Sequence, residues 1–96
     1  MSYLSKLVLN CSPGCYDRLE PFVERCLRDG VKFIAVAGER CDFIEDVIDE
    51  LVVGKGLDES RFILTSSHPG EPLDEVVRFV ASLTGDYEGE VEVVEL

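Results

Sequence analysis

The amino-acid sequence predicts an α/β domain: a three-layer α/β/α sandwich built on a four-stranded parallel sheet. Short β-branched runs alternate along the chain with longer segments whose apolar residues recur at helical spacing, which is the pattern of βαβ units. The first three runs are almost continuously apolar, as is typical of strands covered by helices on both faces. With 96 residues, the chain is expected to form one domain that spans residues 1–96.

The predicted strands differ in how much of their surface is covered. Residues 6–11, 31–37 and 61–66 are expected to be buried strands. Residues 91–96 alternate more regularly and carry Glu92 and Glu95, so we predict an edge strand there.

The first predicted helix lies between the first two strands. Pro21 is tolerated only in a first helical turn, so the helix should begin near residues 18–20, and Gly30 should end it. Cys26 lies on the apolar stripe of this helix, which predicts a core position for its thiol.

The second and third predicted helices have clear boundary signals. Asp42 and Glu45 form a D-x-x-E capping box, and the glycines in 54–56 should end the second helix. The third helix should open at Pro72 and stop at Gly85. The buried stripe of the second helix is expected to consist of Phe43, Ile44, Val47, Ile48 and Leu51.

Right-handed crossovers leave two plausible strand orders for four strands. We expect the flavodoxin-like order 2-1-3-4, because the third strand looks as apolar as the first whereas the second carries Lys32. The alternative is the order 3-2-1-4, which is half of a Rossmann fold.

The charge of the chain limits its partners. Nine Lys and Arg residues against twenty Asp and Glu residues give a net charge of −11, which repels nucleic acid and anionic membrane surfaces. No apolar run approaches the length of a membrane span, and the apolar residues 7–9 are too few for a signal-peptide core. We therefore expect a cytoplasmic protein whose partner, if it has one, is a protein with neutral or basic groups.

Three cysteines and the single histidine follow the ends of the first three strands. In a parallel sheet these ends meet at one edge, so Cys11, Cys15, Cys41 and His68 should converge there, with all four cysteines of the chain as free thiols. Buried cysteines are commonly plain small apolar residues, and that is the first interpretation of this group. Zinc is the second, because three thiolates and one imidazole are a ligand set that structural zinc sites use. No other cofactor is expected.

Nucleophilic catalysis is the third interpretation of this edge. Cys11 or Cys41 would attack a substrate, His68 would act as the base, and Glu39 or Asp42 would orient the imidazole. No nucleophile elbow and no nucleotide-binding glycine motif is present in the sequence. Tyr3, Tyr16 and Tyr87 are scattered along the chain and predict no stacking surface.

Residues 7–15, with the sequence LVLNCSPGC, resemble the phosphocysteine loop of the lactose/cellobiose-type sugar phosphotransferase IIB domains. The resemblance implies a phosphorylated Cys11 on a four-stranded parallel sheet. Acids outnumber bases at this edge, where only Arg18 and Arg40 are basic, and such a balance opposes a phosphate. The acids are Asp17, Glu20, Glu39, Asp42, Glu45, Asp46, Glu71, Asp74 and Glu75.

These observations favour a non-catalytic binding or regulatory module over an enzyme. A thiol-dependent enzyme or a phosphocysteine carrier centred on Cys11 or Cys41 with His68 is the alternative. The strand at residues 91–96 predicts a monomer or a weak homodimer, because an edge strand can pair with its symmetry mate while its glutamates oppose that pairing.

Overall fold

The fold was obtained as a computed structural model, which describes residues 2–12, 14–54 and 62–96. The strands are β1 (Lys6–Cys11), β2 (Phe33–Gly38), β3 (Leu64–Ser67) and β4 (Val91–Glu95), and the helices are α1 (Leu19–Asp29), α2 (Cys41–Val53) and α3 (Leu73–Ala81). Short 3-10 helices cover Cys15–Arg18 and Gly85–Tyr87. The prediction of an α/β fold with a four-stranded parallel sheet and three helices is confirmed.

The strand order in the sheet is β3-β2-β1-β4, so the expected order 2-1-3-4 is wrong and the alternative 3-2-1-4 is correct. The prediction took Lys32 as a sign that the second strand is less buried than the third. However, β2 begins one residue later, at Phe33, and is buried along most of its length. The polar end of β3, which contains Thr65, Ser66 and Ser67, suits an edge strand instead. The prediction of β4 as an edge strand is confirmed.

Side chains of β1 and β2 alternate between two buried clusters on opposite faces of the sheet. On one face, Leu7 and Leu9 of β1 pack with apolar residues of α1 and α2. On the other face, Val8 of β1 packs with Val76 and Val80 of α3. The chain passes from β1 to β3 through α1 and α2, and α3 then returns it to β4 beside β1.

The start of α2 differs from the predicted capping box. The helix begins at Cys41, and its N-cap residue is Arg40 in the left-handed conformation, without a side-chain capping bond. Asp42 lies inside the first turn, where it accepts a hydrogen bond from the Ser67 hydroxyl. Phe43 is exposed rather than buried, because the α2 stripe that faces the sheet consists of Ile44, Ile48 and Val52 together with Cys41.

Other element ends follow the predictions more closely. Gly30 closes α1 in the left-handed conformation, as predicted, and Cys26 is fully buried. The helix α3 is shorter than predicted, because it ends at Ala81 and the chain then forms the second 3-10 helix at Gly85–Tyr87. The predicted roles of Gly56 and Arg61 lie outside the described residues. Within the described part of the chain, no helix combines the length and the apolar character that a membrane crossing requires.

Candidate functional site at the carboxyl edge of the sheet

The carboxyl ends of β1, β2 and β3 lie at one edge of the sheet, because these three strands are parallel. Cys11 is the last residue of β1, Cys15 opens the 3-10 helix that follows, and Cys41 is the first residue of α2. His68 follows β3 directly. The predicted residues therefore share this edge, although they do not form a single cluster.

Cys11, Cys15 and Cys41 are free thiols buried in the cluster that α1 and α2 cover. The 3-10 helix after β1 folds the Cys15 side chain inward. Burial, a hydrogen bond with Cys15 and the nearby Cys41 raise the pKa of Cys11 to about 12. A thiol in this state is a poor nucleophile at neutral pH, because the thiolate is the reactive form.

His68 lies on the opposite face of the sheet, against α3. Its Nε2 is 2.8 Å from the Ser66 hydroxyl and its Nδ1 is 3.0 Å from a Glu71 carboxylate oxygen. The ring also packs against Phe79 of α3, with 5.1 Å between the ring centroids. Ser66 is paired in the sheet with Ala35, which belongs to the cluster under α3, and this pairing identifies the face.

The separation of His68 from the cysteines bears on the zinc and nucleophile hypotheses. Among residues 2–12, 14–54 and 62–96, no three His, Cys, Asp or Glu side chains are placed to hold one metal ion. Zinc bound by Cys11, Cys15, Cys41 and His68 stays a prediction, but these four side chains do not converge on one point where a metal ion could bind.

Both nitrogens of His68 already have protein partners, and the carboxylate that meets the ring belongs to Glu71. Glu39 is exposed, and Asp42 accepts a hydrogen bond from Ser67. The hypothesis of an attacking cysteine named His68 as the base and Glu39 or Asp42 as the orienting acid, but His68 and Asp42 are engaged in other contacts.

Ser66, His68 and Glu71 place a hydroxyl, an imidazole and a carboxylate in the order that occurs in hydrolases. However, Ser66 and His68 line neither of the two clefts described below.

The turn between β2 and α2 is tightly built. Gly38 has φ +98°, and a Cβ on it would lie 2.7 Å from the Cys11 carbonyl oxygen, so only glycine fits there. Two residues later, Arg40 adopts φ 56° and is the one non-glycine residue with positive φ in the described ranges. Side chains other than glycine are strained in this conformation, and such strain concentrates at functional sites.

Arg40 belongs to an exposed aromatic stack that the sequence did not predict. Its guanidinium carbon lies 4.7 Å from the centroid of the Phe43 ring. Phe43 in turn stacks with Tyr16 at a centroid distance of 5.9 Å and an interplanar angle of 20°. Tyr16 is 56% exposed and Phe43 is 42% exposed. We call Tyr16, Arg40 and Phe43 the aromatic stack.

Two neighbouring clefts are lined by Arg40 of the aromatic stack. One, of about 270 Å³, lies between the turn after β1 and the start of α2, and Tyr16, Arg40 and Phe43 line it. The other, of about 430 Å³, lies between residues 38–42 and residues 69–71. Glu39 and Arg40 separate the clefts, since both residues line each of them. The stack therefore adds two exposed aromatic rings and a guanidinium to an edge that is otherwise mostly acidic.

The turn after β1 is fixed by the end of the neighbouring strand. The N–H and the hydroxyl of Ser12 both donate to the Leu96 carbonyl oxygen, and the N–H of Leu96 donates to the Asn10 carbonyl. These bonds bridge the crevice between β1 and β4, which is where the strand order reverses and where open α/β sheets often bind ligands. The aromatic stack lies on the other side of β1, after the ends of β1 and β2.

Most of the chain is similar to a known protein family. Residues 9–95 match the sequence model of a family described as a domain of unknown function (DUF7684). No curated protein matches the chain. No solved structure matches it either.

Proposed function

The chain belongs to the DUF7684 family, and we propose that it is a small non-catalytic binding module that takes a protein partner at the carboxyl edge of its sheet. Arg40 carries this proposal, because it holds a strained backbone conformation while its side chain stays exposed over Phe43. A glycine would relieve the strain, so the presence of arginine there is best explained by a contact that its guanidinium makes.

The composition of the aromatic stack suits a protein partner. Tyrosine, phenylalanine and arginine are enriched in protein interfaces, and tyrosine and arginine are prominent among the residues that dominate binding energy. The two clefts that Arg40 lines offer room for side chains of the partner. The acidic surroundings favour a partner with neutral or basic groups, because like charges facing each other across an interface oppose association.

We further propose a cytoplasmic domain that binds neither nucleic acid nor membranes. The net charge of −11 supports this exclusion. The two buried clusters on opposite faces of the sheet support a three-layer arrangement for the domain. In its free form we propose a monomer or a weak homodimer through β4.

The alternative functions, a thiol-dependent enzyme or a phosphocysteine carrier, receive less support. Both need an accessible, ionisable thiol at Cys11 or Cys41. These thiols are buried, and burial is the largest cause of the raised pKa of Cys11.

Selection of random displayed peptides on the intact protein tests the proposal. We expect the enriched peptides to carry net positive charge and to lose binding by about tenfold or more in Arg40→Gly and Phe43→Ala. Arg40→Gly should also raise the stability of the fold by about 1 kcal/mol, because it relieves the left-handed strain. Loss of binding together with gained stability would separate a binding role from a structural one.

Val53→Ala is the matched control, because Val53 is an exposed apolar residue at the far end of the same helix. It should leave peptide binding unchanged. Enriched peptides that bind the two stack variants as well as the original protein would refute the proposal, and so would a selection that enriches no peptide.

A further inference from the structure

On the side that faces away from β2, the outer strand β3 has backbone N–H and carbonyl groups that pair with no other strand in the described residues. The N–H groups of Leu64 and His68 both donate to carbonyl oxygens on the β2 side at 3.0 Å. Alternate residues of a strand direct their main-chain groups toward the same neighbour, so those of Thr65 and Ser67 point away from β2. In the described part of the chain, no strand is paired with this outer side.

One side of this edge is acidic. The Thr65 hydroxyl lies 3.0 Å from Glu45 and 2.6 Å from Asp49 and shares its single proton between these two carboxylates, and the Ser67 hydroxyl donates to Asp42 at 2.8 Å. Three carboxylates of α2 are thereby held in a row along the α2 face of β3. Each carboxylate accepts several hydrogen bonds, so oxygen lone pairs remain for a further donor.

The other side of the same edge is apolar. Leu64 is paired with Phe33 of the cluster under α3, so its side chain is on the α3 face. It is 40% exposed, and Phe79 of α3, which packs on His68 beside the end of β3, is 43% exposed. The exposed Phe62 precedes the strand. The two faces of β3 therefore present different chemistry to any neighbour.

The two edges of the sheet are protected differently. The edge strand β4 carries Glu92 and Glu95, and such charges discourage pairing. Residues 62–68 carry no Asp, Glu, Lys or Arg, in a chain where 30% of residues are of these types. The strand β3 itself thus carries none of the charged side chains that discourage the addition of a strand.

We propose that the edge of β3 accepts an extended segment of a partner protein whose residues alternate between basic and apolar. Side chains of an added strand alternate between the faces with a period of two, so its main chain would bond Thr65 and Ser67. Its lysines or arginines would meet Asp42, Glu45 and Asp49. Its apolar residues would pack beside Leu64 and Phe79. This surface contains no residue of the aromatic stack, and it meets a cleft beside the stack only at Asp42.

A second copy of the chain fits this edge poorly. Continuing the sheet across a two-fold axis at β3 would place two α2 helices side by side. Each would bring its row of carboxylates toward the other, and like charges in that position repel. Charge complementarity therefore selects a basic segment over a homodimer at this edge.

The probe is a peptide of about eight residues that alternates lysine and valine, titrated into the intact protein and followed through its backbone amide NMR signals. We expect the largest shifts at residues 64–67, together with slower solvent exchange of the Thr65 and Ser67 amides. Glu45→Gln should weaken binding about fivefold. Glu50→Gln removes one charge from the α1 side of the same helix and should have no effect.

Two control peptides separate the contributions to binding. A peptide that alternates glutamate and valine should not bind, and a lysine–valine peptide with N-methylated backbone amides should lose binding because it cannot extend the sheet. Equal binding by the N-methylated peptide, or equal weakening by Glu45→Gln and Glu50→Gln, would overturn the inference. Shifts confined to Tyr16 and Phe43 would also overturn it while supporting the proposed function at the aromatic stack.

Discussion

The buried ammonium of Lys6 donates a hydrogen bond of 2.9 Å to the Val80 carbonyl oxygen in the last turn of α3. Lys6 is the first residue of β1 and is fully buried. The C-terminal carbonyls of a helix lack intrahelical partners and carry partial negative charge, so a cation there is stabilised. The bond ties the central strand to the helix that crosses back over it.

Lys6→Ala is expected to destabilise the fold by about 2 to 3 kcal/mol, because it removes a buried four-carbon stem and leaves a cavity. Lys6→Met retains that volume and loses only the hydrogen bond, so it should cost about 1 kcal/mol. Urea unfolding of both variants at neutral pH measures the difference. Equal losses would show that the ammonium, rather than its stem, provides the stabilisation.

Gly38→Ala is expected to cost about 3 kcal/mol or more. The added Cβ combines a positive φ with a contact of 2.7 Å to the Cys11 carbonyl, and main-chain atoms of a central strand have little freedom to shift. Gly14→Ala is the matched control, since Gly14 also has positive φ but nothing lies within 4 Å of its Cβ position. It should cost about 1 kcal/mol. Similar unfolding midpoints for the two variants would mean that the close approach at Gly38 is relieved by a backbone shift.

The sequence pattern predicted most of the fold, because burial on both faces forces apolar runs in parallel strands and helical spacing in the segments between them. The prediction of the strand order depended on whether Lys32 lies inside β2. Because β2 begins one residue later, at Phe33, the predicted order was wrong. Capping residues were equally ambiguous. Asp42 occupied a plausible cap position, but the turn after Gly38 placed it inside the helix.

The candidate site was predictable only in part. Parallel strands require Cys11, Cys41 and His68 to share an edge, but the face that each side chain takes depends on register, which the sequence does not specify. Tyr16 and Phe43 are 27 residues apart in the chain, and no local sequence pattern predicts that their rings stack. The spacing of Arg40 and Phe43 was the one available signal, since residues three apart on a helix are neighbours.

All four cysteines are expected to react slowly with a thiol-specific electrophile in the folded protein. Each is buried, and burial raises the pKa values of Cys11 and Cys26 to about 12. At neutral pH, labelling should be about 100-fold slower than in urea, because it waits for local opening. Residue-resolved mass spectrometry gives the rates. Rapid labelling of Cys11 in the folded protein would support the phosphocysteine and thiol-enzyme alternatives.

Acid should release the N-terminal segment through Asp29. The Tyr3 N–H donates to the Asp29 carboxylate at 2.9 Å, and this bond, with Arg25 beside it, holds the pKa of Asp29 below its usual value. A lowered folded-state pKa contributes stability above the unfolded value of about 3.9, and this stability is lost as the pH falls through the folded-state pKa.

Asp29→Asn should therefore flatten the dependence of the urea midpoint on pH between about pH 5 and pH 2. The control Asp17→Asn removes an exposed acid from the first 3-10 helix and should leave that dependence nearly unchanged. An unaltered pH profile in Asp29→Asn would show that the contact with Tyr3 is absent in solution.

Self-association through β4 should be weak and should rise with ionic strength. Val93 is exposed on this edge strand and can pack against a symmetry mate, whereas the exposed Glu95 of each copy would face like charge. Glu92 is already engaged, because it accepts a hydrogen bond from the Leu4 N–H. At about 1 M salt, screening shortens electrostatic interactions to about 3 Å, which removes most of the repulsion.

Sedimentation velocity should therefore detect more dimer at about 1 M salt than at about 0.05 M. Glu95→Gln should raise the dimer fraction at low salt, whereas Glu88→Gln, an exposed glutamate outside the strand, should change it much less. A dimer that dissociates as salt is added would contradict this account, since attraction between opposite charges would then hold the two copies together.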